Sequence, residues 1–585
     1  MKSKALLSLG SILRRFRPRI REVFQSGYSR QQAVTDSLAG VTVGLIALPL
    51  ALALGVASIP AHLITPFPAP AIGIMTAIIG GGIAALFSGS RVQVSGPTAA
   101  FVTVVLLVVE RHGFDGLLLA TLMAGVILVL MGLSGLGTLI KFIPYPVTSG
   151  FTTGIAIALM LGQVPSFLGL RAVTAAPREF AEKLPWLWEN LPSFNLATVA
   201  IAVGAFALIL GWPTLARRFH LHRIPAAIVA IIASALVVGL FGWSERFGVA
   251  TIGSQFGPTA LSAKLPPFVW PEISFERVRD LIGPATTLAL LGAIESLLSA
   301  VVSDGLIEDR HNSNTELVSQ GLANIVSPLF CGLPVTGAIA RTSANVRAGA
   351  RSPISALVHC ATLILIVFCF APLAQYVPIG AMAAVLFAVA LRMGEWHELK
   401  RLRKMPGSDA LVLLTTFSLT VVFDLVVAVE IGMILAAVLF IKRMAETTEV
   451  SLVTPNDELE THEQIAQGKT VPEGVVVYRI FGPFFFGAAE KMEDALQRNG
   501  SLPRVLILRL QLVPAMDATA LNALESITAR MQRRGGTVIL SGPHHQPLAM
   551  MKQAGFIERI GRPNIRAHFD DALTRANEVL AEDQT

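Results

Sequence analysis

Two Gly/Pro breaks each precede an apolar stretch too short to cross a bilayer. Val94-Ser95-Gly96-Pro97 leads into 97–109, and Gly332-Leu333-Pro334 leads into 336–346. A spanning helix needs about 20 apolar residues, so each stretch reads as a half-helix that begins inside the membrane. The first N–H groups of such a helix lack intrahelical acceptors, and its end carries roughly half a positive charge. In hydrocarbon those donors must find a partner. Thr98, Ala99 and Ala100 follow Pro97, a residue suited to a first turn because it has no N–H. Gly337, Ala338, Ile339 and Ala340 hold the matching place in the second stretch. Small residues let a ligand approach the backbone, and two converging N-termini favour an anion. The competing reading is a pair of kinked helices packed only against protein.

Two charges sharpen the anion reading. Arg341 follows the second break inside an otherwise apolar segment, where a charge tends to face a cavity or a partner. Its alternative is to snorkel to the membrane surface beside Arg347. Glu295 is a carboxylate well inside the apolar run 278–302, with Ser299 one turn further on the same face. It suits a coupling ion, H⁺ or Na⁺, or a structural ion pair with Arg341. Glu430 is the second choice for that role, and Asp424 reads as an N-cap. Asp304, Glu308 and Asp309 read as solvated, and His359 as a packed helix residue. Cys331, Cys360 and Cys369 form no metal-ligand or disulfide pattern. No cofactor, metal site or catalysis is expected.

These residues need a membrane scaffold, and the rest of the chain supplies one. Of 585 residues, 53% are hydrophobic and 15% charged. That is far below the charge of an average soluble domain, about 25%. Apolar runs lie near 34–57, 69–89, 115–139, 145–164, 196–213, 224–242, 278–302, 314–332, 352–371, 376–392, 408–422 and 425–443. With the two half-helices they make fourteen segments. Loops after even-numbered segments hold the Lys and Arg, including Arg91, Lys141, Arg217, Arg223, Arg310, Arg347 and Lys400. By the positive-inside rule both termini are cytoplasmic. The net charge of +7 therefore reflects topology, not nucleic-acid binding. Residues 1–33 are expected to form a basic cytoplasmic segment, with the 6–24 stretch interfacial, against lipid.

An internal repeat shows in the prolines. Pro49 and Pro284, Pro97 and Pro334, and Pro144 and Pro378 recur at an offset of about 235 residues. Seven segments per half is odd, so the second half must be inverted relative to the first. Inverted halves with broken helices place a transport site at the repeat interface. The membrane part is 34–445. A polar linker, 446–470, precedes a soluble α/β domain, 471–585.

The stretches Asp36–Pro49, Gly89–Thr98, Pro144–Phe151 and Thr336–Asn345 resemble the sulfate permease (SulP) family of anion transporters. Val505–Asp517 and Gly535–Leu540 resemble the STAS domain that accompanies it. The resemblance implies an α-helical membrane protein of fourteen segments, a 7+7 inverted repeat of core and gate domains, followed by a small α/β STAS domain. It implies a homodimer and an elevator-type alternating-access mechanism. It puts Thr98, Gly337, Ala338 and Ile339 at anion-contacting positions, and Glu295 with Ser299 at cation-coupling positions. Two positions depart from the family. Leu50 stands where members carry a polar residue, and Ala518 follows Asp517 where related domains carry a phosphorylatable Ser.

The expected function is secondary transport of sulfate, bicarbonate or a small carboxylate across the plasma (inner) membrane, coupled to H⁺. The alternatives are a Na⁺-coupled bicarbonate symporter, an uncoupled anion exchanger, or a membrane sensor whose STAS domain is the output and has a cytoplasmic partner. A nucleobase symporter would want a carboxylate where Ala340 and Arg341 stand.

Overall fold

The computed structural model describes residues 16–60, 63–138, 144–171, 177, 180–218, 224–257, 260–261, 266–422, 425–452, 471–498 and 503–582. Lys141, Arg223, Asp424, most of the expected linker and the side chain of Glu430 lie outside the described residues. The chain divides into two compact units, Met1–Ile434 and Leu435–Thr585.

The first unit is helical. After a short helix α1 (Arg19–Gln25) come α2 (Arg30–Ser58), α3 (Ala69–Phe87) and strand β1 (Ser95–Gly96). Then follow α4 (Ala99–Leu133), α5 (Tyr145–Leu168), α6 (Leu196–Arg218), α7 (Ala226–Phe241), α8 (Phe275–Ile307) and α9 (Ser313–Leu329). Strand β2 (Thr336–Gly337) precedes α10 (Ile339–Arg347), α11 (Ile354–Phe370), α12 (Ile379–Met393), α13 (Gly407–Val422) and α14 (Leu425–Thr447). The third and fourth expected segments follow one another directly along α4 as two helical stretches, separated by a kink at Gly113, whose φ of 72° is not helical. Glycine tolerates that left-handed conformation. Large apolar side chains stay exposed on the outer helices, such as Leu240 at 76% and Phe368 at 73%. A bilayer solvates such a surface. Water does not.

The proline pairs fall at equivalent places. Pro49 and Pro284 lie inside α2 and α8, Pro97 and Pro334 precede the two half-helices, and Pro144 and Pro378 cap α5 and α12. Helices α2, α3, α4, α8, α9, α10 and α11 pack mainly on one another, as do α5, α6, α7, α12 and α13. Within the first group α2 and α3 cross closely: a Cβ on Gly73 would sit 2.0 Å from the Ala51 carbonyl oxygen.

Helix α9 is polar for a buried helix, and the polarity has a purpose. Glu316 is fully buried and takes five hydrogen bonds. Oε2 accepts from Ser88 Oγ (2.9 Å) and from the N–H groups of Gly89 (2.8 Å) and Ser90 (3.2 Å). Oε1 accepts from the side-chain amides of Gln93 and Gln320, both at 2.8 Å. Gln320 also donates to Ser95 Oγ at 2.7 Å, and Asn324 exchanges two bonds with the Val335 backbone. One face of α9 thus holds both chain breaks.

In the second unit α14 leads into β3 (Glu449–Leu452), followed by β4 (Val475–Phe481), α15 (Phe486–Arg498), β5 (Val505–Leu512) and α16 (Ala518–Arg533). Then come β6 (Thr537–Ser541), α17 (His545–Gln553), β7 (Ile565–Arg566) and α18 (Phe569–Glu582). The sheet order is β3-β4-β5-β6-β7, with β3 antiparallel and the rest parallel. The residues expected to open a linker therefore include a sheet strand, because backbone pairing with β4 outweighs their polar composition. Asp517 caps α16 through the N–H of Ala520 at 2.8 Å. Apolar side chains fill both faces of the sheet, one under α16 and the other under α18.

Substituting Glu316 tests its holding role. Glu316→Ala removes the acceptor shared by five buried donors, and Glu316→Gln turns an NH₂ toward groups that also donate. Each variant is expected to lose about 2–5 kcal/mol, read as a lower melting temperature of purified protein. Wild-type melting in both would contradict the role.

Candidate anion site

The two chain breaks are joined to each other. β1 and β2 pair antiparallel, Ser95 with Gly337 and Gly96 with Thr336, so the two halves share a buried ribbon. Each strand then turns into a half-helix, α4 after the cap residue Thr98 and α10 after Ala338. Neither cap residue bonds the helix start through its side chain. The Ala338 N–H goes back to the Val94 carbonyl at 2.9 Å. Ala99 and Ala338 are buried, while Ile339 at 39% exposure and Ala340 open outward.

Arg341 does not snorkel. It is 2% exposed, and its Nη2 donates to the Pro97 carbonyl, across the ribbon at the other half's break. Nη1 is a buried donor with no hydrogen-bond partner. A Cβ on Gly96 would come within 2.6 Å of Nη1, so a larger residue there would push the guanidinium from this position. A fixed, incompletely satisfied positive group thus stands where the two helix starts meet.

Glu295 enters from α8 and is half-buried. Among the described residues its hydrogen bond comes from Thr98 Oγ1, at 2.9 Å to Oε2. No ion pair within 4 Å joins it to Arg341 among the described residues, so the structural-pair alternative is not what the geometry contains. Thr98 therefore touches both proposed functions, the helix start and the coupling carboxylate. Ser299 lies one turn further along α8. It is fully buried and donates to Thr342 Oγ1 at 3.0 Å, and Thr342 Oγ1 also accepts from the Val94 N–H at 3.1 Å.

Several residues that shape the site escaped the reading of spacing alone. Ser296 Oγ accepts the Gly337 N–H at 3.0 Å and exchanges a bond with Thr336 Oγ1 at 2.8 Å. Gln93 packs its amide against Gly337, where a Cβ would meet Nε2 at 2.3 Å. Glu316, Gln320 and Asn324 recur four residues apart on one helix face, and that periodicity of polar residues was the available signal. Asp304 is bound as well as solvated, accepting from the His311 N–H and ring, and Asp309 pairs with Arg91 at 2.9 Å. Just before α2, Tyr28 donates to Asp36 at 3.0 Å, and burial pushes its phenol up to about 12, so it remains a donor at physiological pH. Two surface cavities, beside Arg171 and beside His112, do not include the ribbon.

Residues 34–416 match the sulfate permease family, and residues 468–572 match the STAS domain. A Bacillus subtilis protein named "Putative sulfate transporter YvdB" is 37% identical over 546 residues, covering 93% of this chain and 98% of that one. The bicarbonate transporter BicA of Picosynechococcus is 30% identical over 559 residues, 92% of this chain and 94% of its own. The solved transmembrane domain of a cyanobacterial BicA superposes with a TM-score of 0.59 at 29% identity, over 70% of this chain and 98% of that one. SLC26A9 shares the fold over 99% of this chain and 95% of its own, with a TM-score of 0.83 at 16% identity. The chain belongs to the sulfate permease family and is a helical membrane transporter with a C-terminal STAS domain, not an enzyme.

Proposed function

We propose that this chain carries a small anion, of the class of sulfate, bicarbonate or a small carboxylate, and couples its movement to H⁺ through Glu295. The observation that carries the reading is the buried Arg341 Nη1, unpartnered where the starts of α4 and α10 converge. Thr98, Ala99, Gly337, Ala338 and Ile339 form the proposed contact surface. A negative ligand there satisfies helix-start N–H groups and a guanidinium at once, which hydrocarbon otherwise leaves unsatisfied. Relatives named as sulfate and bicarbonate transporters support the substrate class.

Protonation of Glu295 removes a negative charge from beside the anion and so favours its binding. That exchange of charge is the proposed coupling. Thr98 Oγ1 and the Glu295 carboxylate together are also hard oxygen ligands of the kind Na⁺ accepts, which supports Na⁺ symport as a second reading. Ser299, one turn after Glu295 on α8, is the second proposed coupling residue, and its hydroxyl is bonded to Thr342.

An elevator movement is the proposed route. The ribbon ties both repeats into one group of helices, so the site travels with that group against α5, α6, α7, α12 and α13. The alternation of basic loops supports cytoplasmic termini in a plasma membrane protein. Homodimerisation, and a STAS domain that modulates flux through a cytoplasmic partner, complete the proposal.

Glu295→Gln in liposomes is expected to abolish acceleration of uptake by an inward proton gradient while sparing anion exchange. Proton-driven uptake in that variant would end the coupling role, and acceleration by Na⁺ alone in the wild type would select the second reading. Isothermal titration tests the anion site. Arg341→Ala is expected to weaken binding by roughly tenfold to a hundredfold, the value of one charged hydrogen bond at about 1.5–3 kcal/mol. Ala338→Leu is expected to block binding sterically with Arg341 intact. Wild-type affinity in Ala338→Leu would place the anion elsewhere.

A further inference from the structure

A short helix between α5 and α6, Phe180–Asn190, divides its surface among three directions. At about 100° of turn per residue, Trp186, Leu187 and Asn190 share one side. That side packs on the protein, where the helix meets α13, and Trp186 is only 8% exposed. Lys183 on the same side feels the charge of Glu110 on α4. Glu182 and Glu189, two turns apart, share a second side and are exposed. Leu184, Trp188 and Leu191 share the third, since each stands a turn beyond the one before. They are 45%, 79% and 42% exposed. A line of large apolar side chains flanked by acids marks an interaction face.

The surroundings identify what covers it. Past the turn Leu191–Ser193, exposed apolar residues continue along the chain as Phe194, Leu196, Val203 and Leu210. The last three recur at every second turn of α6, so they form one stripe along it. Helix α6 is long and apolar enough to cross a membrane, and that stripe is solvated by lipid. The helix Phe180–Asn190 therefore precedes a lipid-facing surface and presents a further apolar line of its own. Tryptophan suits the level where hydrocarbon meets water, because its ring is apolar and its indole N–H is polar.

We propose that Phe180–Asn190 lies flat in the membrane–water interface and that the bilayer itself covers its apolar face. Leu184, Trp188 and Leu191 sit among acyl chains close to the head groups, while Glu182 and Glu189 stay in water. Such helices sink their apolar side about 5–10 Å into the boundary. In the proposed topology this is the outer surface, opposite the basic loops. Because the helix packs on α13, it holds the group of α5, α6, α7, α12 and α13 at a fixed depth. An elevator movement of the other group needs such a frame. That consequence rests on the elevator reading, whereas the burial in lipid does not.

Spin labelling of the full-length protein in phosphatidylcholine nanodiscs tests the placement without reference to transport. Single cysteines replace Glu182, Leu184, Trp188 or Glu189 in a Cys369→Ser background, which removes the exposed native thiol. Each nitroxide is read for collisions with oxygen, which concentrates in lipid, and with a nickel chelate, which stays in water. Labels at positions 184 and 188 are expected to favour oxygen, and those at 182 and 189 the chelate. If Trp188→Cys does not fold, lipids brominated near the head-group end of the chain replace that label. They are expected to quench tryptophan fluorescence more in the wild type than in Trp188→Phe. Equal quenching in the two would overturn the proposal. It is also overturned if positions 184 and 188 favour the chelate, which leaves the face in water, or if all four positions read alike. Exclusion of both reagents from positions 184 and 188 overturns it too, because protein, such as a second copy of the chain, then covers the face.

Discussion

A helix that starts inside a membrane exposes N–H groups that nothing in hydrocarbon can satisfy, and the membrane unit is arranged around two such starts. The backbone just before each start is extended and pairs with the other, Ser95 with Gly337 and Gly96 with Thr336. That pairing satisfies the approach to each break and brings the starts of α4 and α10 to the two ends of one ribbon. Arg341 reinforces the junction from one half by bonding Pro97 in the other. The architecture can hold such a high-energy feature because a second buried layer supports it. Glu316, with no cation bonded to it among the described residues, gathers five donors and fixes the chain on either side of β1. A buried carboxylate is costly when unsatisfied and specific when fully bonded. Here it serves as the rigid base on which the more loosely satisfied site is built.

Much of this was readable in advance because prolines and glycines report backbone breaks directly. The near-constant proline offset anticipated the repeat, and the placement of Pro97 and Gly337 anticipated both half-helices. Residue types near those breaks also pointed to Arg341 and Glu295. The partners of those residues were not readable, because they depend on which face of a helix meets which strand. Ser299 is the neighbour of Glu295 by helical spacing, but its bond to Thr342, and the bond of Ser296 to the ribbon, could not be read from spacing. Glu316 sits at the start of α9, where a carboxylate reads as a solvated or capping residue, and only the returning loop 88–93 makes it buried. In the STAS domain, β3 was hidden by polar composition, and β7 by having only two residues.

The central claim is that the anion sits between the starts of α4 and α10 beside Arg341. The most direct measurement is a structure of the protein saturated with whichever of sulfate, bicarbonate or a small carboxylate it moves fastest in liposomes. The account predicts ligand density within hydrogen-bond reach of Arg341 Nη1 and the first-turn N–H groups that follow Thr98 and Ala338. Density at any other place in the membrane unit, with that space empty under saturating anion, would contradict it.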